Sequence, residues 1–270
     1  MADNEYDIVI TMLPSSEAVE SVYLDDNFGI LAGAKAISSC STDSPFNKLM
    51  IECGTIETST ILSVNEATKT TASTISPPGH NLTFVDAPVS GGPMGAGSAT
   101  STFMVGADSE TTMPRVQDHL RHMGKPESIF RCGEVGAGTA FKVINNYLSA
   151  ITSLAASEAL NIGAKMGLDV KLLNDVINVS GGQCWVTSKA CPVPGVMEGV
   201  PSSRGHDGGF RLELCRKVLG MGSELAEMVG ARTVLDKPTL AAFDAAAADK
   251  RYAGKGARVI YKWLNESESS

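Results

Sequence analysis

Tyr6–Leu13 reads YDIVITML, is closed by Pro14, and runs on through Ser15 and Ser16 into Glu17–Tyr23, EAVESVY. A short apolar run rich in β-branched residues and stopped by proline is a buried strand rather than a helix. The two serines offer an N-cap oxygen to the helix that follows. Working outward, the same unit recurs. Leu49–Ile51 ends at Glu52-Cys53-Gly54-Thr55 before a helix predicted from Thr58, and Leu82–Val85 leads into Asp86 and Pro88. Strands that alternate with helices in this way predict a parallel, doubly wound α/β sheet. Between them, Ser38–Asn47 (SSCSTDSPFN) is polar and is expected to be an inserted surface loop.

The character changes after Gly133. Thr139–Gly163 carries Phe141, Val143, Ile144, Tyr147, Leu148, Ile151 and Leu154, apolar nearly all round, so the helix it predicts is expected to be buried on most faces. Helical patterns follow at Val170–Val179, Leu212–Val229 and Thr239–Asp249. The chain therefore divides into a sheet domain over residues 1–132 and an all-α domain over residues 133–266.

With 43% hydrophobic residues in a chain of 270, both domains can bury a core. A formal net charge of -8 repels phosphate backbones and anionic bilayers, which excludes nucleic acid and membrane surfaces as main partners and favours small molecules. No apolar run is long enough to span a bilayer. The six cysteines show neither CxxC pairs nor zinc-like spacing, so free thiols in a reducing compartment are expected, and no metal. The start, MADNEYDIVITMLP, has the features of neither a secretory signal nor a transit peptide.

Two constellations could carry chemistry. Lys142 and Asn146 are four residues apart and project from one helical face. A lysine drawn into a poorly solvated cleft loses preference for its charged form and can act as a base; a lysine snorkelling from a helix end is the alternative. Asp86–Gly92, DAPVSGG, follows a predicted strand, where open α/β sheets bind ligands. Gly91 and Gly92 would let main-chain N–H groups, with the Ser90 hydroxyl, approach a carboxylate, although such clusters are also plain turns. Gly208 and Gly209 are read as a turn.

TMLP (Thr11–Pro14), GTI (Gly54–Ile56), DAPVSGG (Asp86–Gly92), TFMVG (Thr102–Gly106) and GxGxxxKxxNN (Gly136–Asn146) occur in the order seen in β-hydroxyacid dehydrogenases, which the chain resembles. SGGQCW (Ser180–Trp185), PVPGVMEGVPS (Pro192–Ser202) and GGF (Gly208–Phe210) resemble the 3-hydroxyisobutyrate dehydrogenase branch in particular. The resemblance implies a Rossmann-like NAD(P)-binding domain followed by a helical domain of the 6-phosphogluconate dehydrogenase C-terminal type. It implies NAD as cofactor, a short β-hydroxyacid as substrate, and a homo-oligomer assembled through the helical domain. Lys142 would be the catalytic lysine, Ser90, Gly91, Gly92 and Asn146 would hold the substrate carboxylate, and Leu13, Pro14, Thr55 and Lys217 would contact NAD. A mitochondrial matrix location is implied by the branch, and a cytoplasmic one by the lack of a visible transit peptide.

The family opens with a strand, a GxGxxG turn and a helix that seats the pyrophosphate. The sequence begins at the strand ending TMLP, so an incomplete nucleotide-binding domain is expected. Val218 and Gly256 stand where the family has aspartates. The leading expectation is oxidation of 3-hydroxyisobutyrate in valine breakdown, impaired by the absent phosphate turn. The alternatives are a non-catalytic oligomerisation partner and a reductase of another short acid such as tartronate semialdehyde. The expected outcome for the 270-residue chain is strongly weakened NAD binding; calorimetric titration showing micromolar affinity would contradict it.

Overall fold

The computed structural model describes residues 7–40, 46–75 and 80–266. They form two compact units, Met1–Lys142 and Val143–Ser270. In the first, β1 (Ile8–Thr11), β2 (Asn47–Glu52) and β3 (Asn81–Asp86) are parallel neighbours in that order. Beyond β3 the sheet changes direction. β5 (Ser101–Gly106) runs antiparallel to β3, to which it is bridged at Asp86–Gly106, and to the short β4 (Val89–Ser90); β6 (Gly124–Gly133) then pairs parallel with β5. The sheet is mostly parallel, as the alternation of strands and helices predicts, and its one reversal falls between β4 and β5. The physical reason is the short connection between them, which carries only α4 (Gly92–Gly97) and leaves no length for a crossover.

β2 shows why both sheet faces are covered. Leu49 and Ile51 point to one face and Met50 to the other, and all three are buried. On Met50's side, α1 (Ser16–Leu24), α2 (Ile30–Cys40) and α3 (Thr58–Thr74) contribute Val19, Tyr23, Leu31, Ile61 and Val64. On the other side, α5 (Met113–Leu120) contributes Val116 and Leu120 against Val85, Phe103 and Val105. α1 begins as its sequence implies, with the Ser15 hydroxyl accepting from the Ala18 N–H. The expected Ser38–Asn47 loop is only partly a loop: Ser38–Cys40 complete α2, Phe46 is buried, and Asn47 opens β2. Residues 41–45 lie outside the described residues.

α6 (Ala137–Lys165) begins in the sheet unit and continues into the helical one, where α7 (Val170–Asn178), α8 (Trp185–Lys189), α9 (Leu212–Met228), α10 (Asp236–Ala248) and α11 (Ile260–Glu266) follow. The core of that unit gathers Ala150, Leu212, Leu219, Phe243, Tyr252 and Ile260. α9 crosses α6 at Gly222, where a side chain would strike the Tyr147 ring. The expectation that α6 is buried on most faces is overturned: Phe141, Ile144, Leu148 and Ile162 are 56–62% exposed. An apolar period states which residues avoid water, and a single chain need not supply their cover.

Candidate active site

Two buried carboxylates build the carboxyl-terminal edge of the sheet. Glu52, fully buried at the end of β2, accepts from the Gly54 N–H at 2.6 Å, the Leu13 N–H at 3.3 Å and the Thr11 hydroxyl. The Tyr23 phenol closes the network on Thr11 at 2.6 Å. Burial pushes that phenol well above its ordinary pKa, so it stays protonated and donates. Gly54 is required here, since a Cβ would lie 2.5 Å from Glu52 Oε1 and 2.7 Å from the Leu13 carbonyl oxygen. In this way Leu13 and Thr55, both half-buried, and the exposed Pro14 are held on adjoining turns beyond β1 and β2.

Asp86, fully buried at the end of β3, does the corresponding work for α6. Its carboxylate accepts from the Gly136 N–H at 2.8 Å and the Thr139 N–H at 2.6 Å, two of the amides that a helix start leaves without partners. Burial raises the pKa of this carboxyl group, and the amide donors pull it back down. Gly138 completes the fit, because a Cβ there would collide with the Met104 carbonyl. DAPVSGG is thereby tied to the helix that carries Lys142.

Lys142 is 8% exposed. Burial pushes its ammonium pKa down to about 8. Asn146, one turn on along α6, is half-buried. Ser90 ends β4, and Gly91 and Gly92 follow at φ +136° and +60°, backbone that L side chains rarely adopt. Lys217 is half-buried on α9. Val218, where the resemblance expects an aspartate, packs with Val143 and Met221. Gly256 leaves no room for one, since a Cβ would approach Gly208 O to 2.7 Å.

Sequence reading missed the roles of Glu52, Asp86 and Tyr23. Each acid directly ends an apolar strand, IE and VD, and that was the available signal. Cys53, Cys132, Cys184, Cys191 and Cys215 carry free thiols. Among the described residues no cluster of three or more metal-binding side chains occurs, and no helix is long and apolar enough to cross a membrane.

The NAD binding domain of 6-phosphogluconate dehydrogenase, as a sequence family, matches residues 1–136, and the NAD-binding family of NADP-dependent 3-hydroxyisobutyrate dehydrogenase matches residues 136–264. A probable mitochondrial 3-hydroxyisobutyrate dehydrogenase of Dictyostelium discoideum is 35% identical over 97% of this chain and 74% of its own. The NAD-dependent L-serine dehydrogenase of Pseudomonas aeruginosa is 35% identical over 88% of this chain and 72% of its own. The solved structure of Mycobacterium tuberculosis 3-hydroxyisobutyrate dehydrogenase with L-serine superposes with a TM-score of 0.81 at 33% identity, covering 96% of this chain and 80% of that one.

These matches define an NAD-dependent oxidoreductase with a Rossmann-like domain ahead of an all-helical one. The chain belongs to the 3-hydroxyisobutyrate dehydrogenase family.

Replacing Asp86 with alanine strands the Gly136 and Thr139 amides in a dry site, at a cost of about 2–3 kcal/mol. A urea titration should show the midpoint falling with no change in slope, and an unchanged midpoint would contradict the clamp.

Proposed function

We propose that the chain oxidises a short β-hydroxyacid, 3-hydroxyisobutyrate foremost, to its semialdehyde, with Lys142 accepting the hydroxyl proton. One observation carries the reading: the Lys142 amine is desolvated, with a pKa near 8, on a helix whose start is clamped by the acid of DAPVSGG. An amine close to neutrality can take a proton at physiological pH, which a solvated lysine cannot do efficiently.

The residues present suit NAD at the sheet edge. Ser16 Oγ and Thr58 Oγ1, just beyond the turns that hold Leu13, Pro14 and Thr55, are buried without hydrogen-bond partners, and a polar ligand would satisfy them. Leu13, Pro14 and Thr55 are the residues that would hold it, with Lys217 carried over by resemblance. When bound, NAD accepts the hydride released from the carbinol carbon. The chain's own part is orientation and one proton. The Ser90 hydroxyl and the Gly91 and Gly92 amides would hold the substrate carboxylate, with Asn146 carried over by resemblance, and Lys142 Nζ would take the hydroxyl proton. The oxidation releases one proton, and neutral Lys142 receives it.

Assembly and location belong to the same proposal. The exposed Phe141, Ile144, Leu148 and Ile162 support a homo-oligomer formed through α6, and the mitochondrial names of the Dictyostelium discoideum and rat relatives support a mitochondrial site. Light scattering on the purified chain should give a mass at least twice that of one chain, and a monomer would contradict assembly.

Replacing Lys142 with alanine should lower kcat for alcohol oxidation by about 100-fold or more while leaving the fold intact. Because the base must be neutral, kcat/KM should rise with pH and level off above about 8. Turnover within about tenfold of the unaltered chain would defeat the assignment.

A further inference from the structure

One face of α3 meets the turn that leads into α6. Thr58, Leu62, Asn65 and Lys69 recur along α3 at the spacing of a single helical stripe. At its near end, Thr58 and Leu62 abut Gly136, where a Cβ would stand 2.9 Å from Leu62 Cδ2 and 3.7 Å from Thr58 Cγ2. The far end grips a carboxylate. Asp108, just past the end of β5, accepts from the Asn65 amide at 3.1 Å and pairs with the Lys69 ammonium at 2.8 Å, both through Oδ2. Its other oxygen, Oδ1, accepts from the Val135 N–H at 3.0 Å. Val135 is buried and directly precedes Gly136, whose own N–H goes to Asp86. Two consecutive amides ahead of α6 are therefore held by two different acids: Asp86 ties the helix start to β3, and Asp108 ties it to α3.

An ion pair as open as that of Lys69 and Asp108, 56% and 36% exposed at the side chains, contributes little by itself. The bonds to Val135 and to the buried Asn65 are of another kind, since a sheltered donor that loses its acceptor finds no water to replace it. Burial works to raise the pKa of Asp108, and the donors of Lys69, Val135 and Asn65 outweigh it, so the carboxyl lies below its usual value and is charged near neutrality. The place of this latch says what it can govern. Thr58, the first residue of α3, has a buried hydroxyl without a partner just beyond the turn of Thr55. Lys142 stands on α6, two turns past Val135.

Resting on the dehydrogenase reading above, we infer that Asp108 and Asn65 are positioning residues for the reaction: through Val135 and the stripe of α3 they fix the cofactor side of the sheet domain against the helix start that carries Lys142. With the latch closed, α6 begins in one place and the Lys142 amine stays sheltered. With it open, Asp86 alone holds the turn, and α6 can shift relative to α3. A misplacement of about 1 Å between reacting groups can cost about 100-fold in rate, and it leaves the affinity for substrate largely alone.

Charge-conserving substitutions separate the latch from a surface ion pair. D108N keeps an oxygen for the Val135 N–H but turns an amide toward Asn65 Nδ2 and Lys69 Nζ, so that donors face donors. N65D sets two carboxylates against each other. The double swap N65D/D108N restores a donor and an acceptor across the gap, keeps an acid beside Lys69 and leaves the net charge as it was. With NAD and 3-hydroxyisobutyrate, each single variant should lower kcat by about tenfold with KM for the acid within about twofold, and the swap should recover most of the loss. A swap no better than the single variants overturns the inference, as does a loss confined to KM.

A second measurement needs no turnover. The rate at which acetic anhydride labels Lys142 in the cofactor-free chain is followed against pH by mass spectrometry, and its midpoint should fall near 8. D108N should move that midpoint up by about one pH unit as water reaches the amine, and the swap should return it. If D108N fails to fold, N65D and the swap decide in the same way. A midpoint indifferent to these substitutions overturns the latch. A midpoint that follows them in a chain that oxidises no hydroxyacid keeps the latch and rejects the dehydrogenase reading.

Discussion

The Asp86 carboxylate, sealed at the end of β3, receives the first amides of α6 and so makes one body of a strand end and a helix start. A buried charge is tolerable only where donors replace its lost water, and the unpaired N–H groups of a helix start are a concentrated supply of them. Much of the remaining arrangement follows. The close approach allowed by Gly138 lets α6 abut β5, the register that carries Asp86 opposite Gly106 continues to Ser90 opposite Thr102, and the DAPVSGG turn leaves the sheet at Gly91. Lys142 then stands one and a half turns or so into a helix whose start cannot slide.

Glu52 repeats the device one strand away. It spends its charge on the Leu13 and Gly54 amides and the Thr11 hydroxyl, and so holds the turns after β1 and β2 in one relation. Both acids lie where strands end and ligands of open α/β sheets gather. Neither has to touch a ligand to matter, because each fixes the backbone of the turn that follows its strand.

Much of the fold was legible from local sequence. β1 to β3, the helix start at Ser15, α3, α7 and α9 follow from short-range signals: period, a β-branched run, a cap residue. The motifs also marked Lys142, Asn146 and Ser90–Gly92 as one group, because catalytic chemistry needs particular residue types at particular spacings. β6 and α5 were not anticipated, since the strand sequence GKPESIFRCG is charged and polar over most of its length and is placed by β5 rather than by its own composition.

What the sequence by itself determined is the order of strand and helix units and the identity of the chemical groups on α6 and in DAPVSGG, both of which depend on near neighbours in the chain. Tertiary structure alone decided that β5 reverses the sheet, that the apolar side of α6 at Ile144 and Leu148 stays open to water, that Glu52 and Asp86 are spent on backbone, and that Lys142 is dry enough to lower its pKa. Each of these turns on atoms tens of residues apart, as Gly136 is from Asp86, and burial and charge balance are properties of the assembled neighbourhood rather than of any stretch of chain.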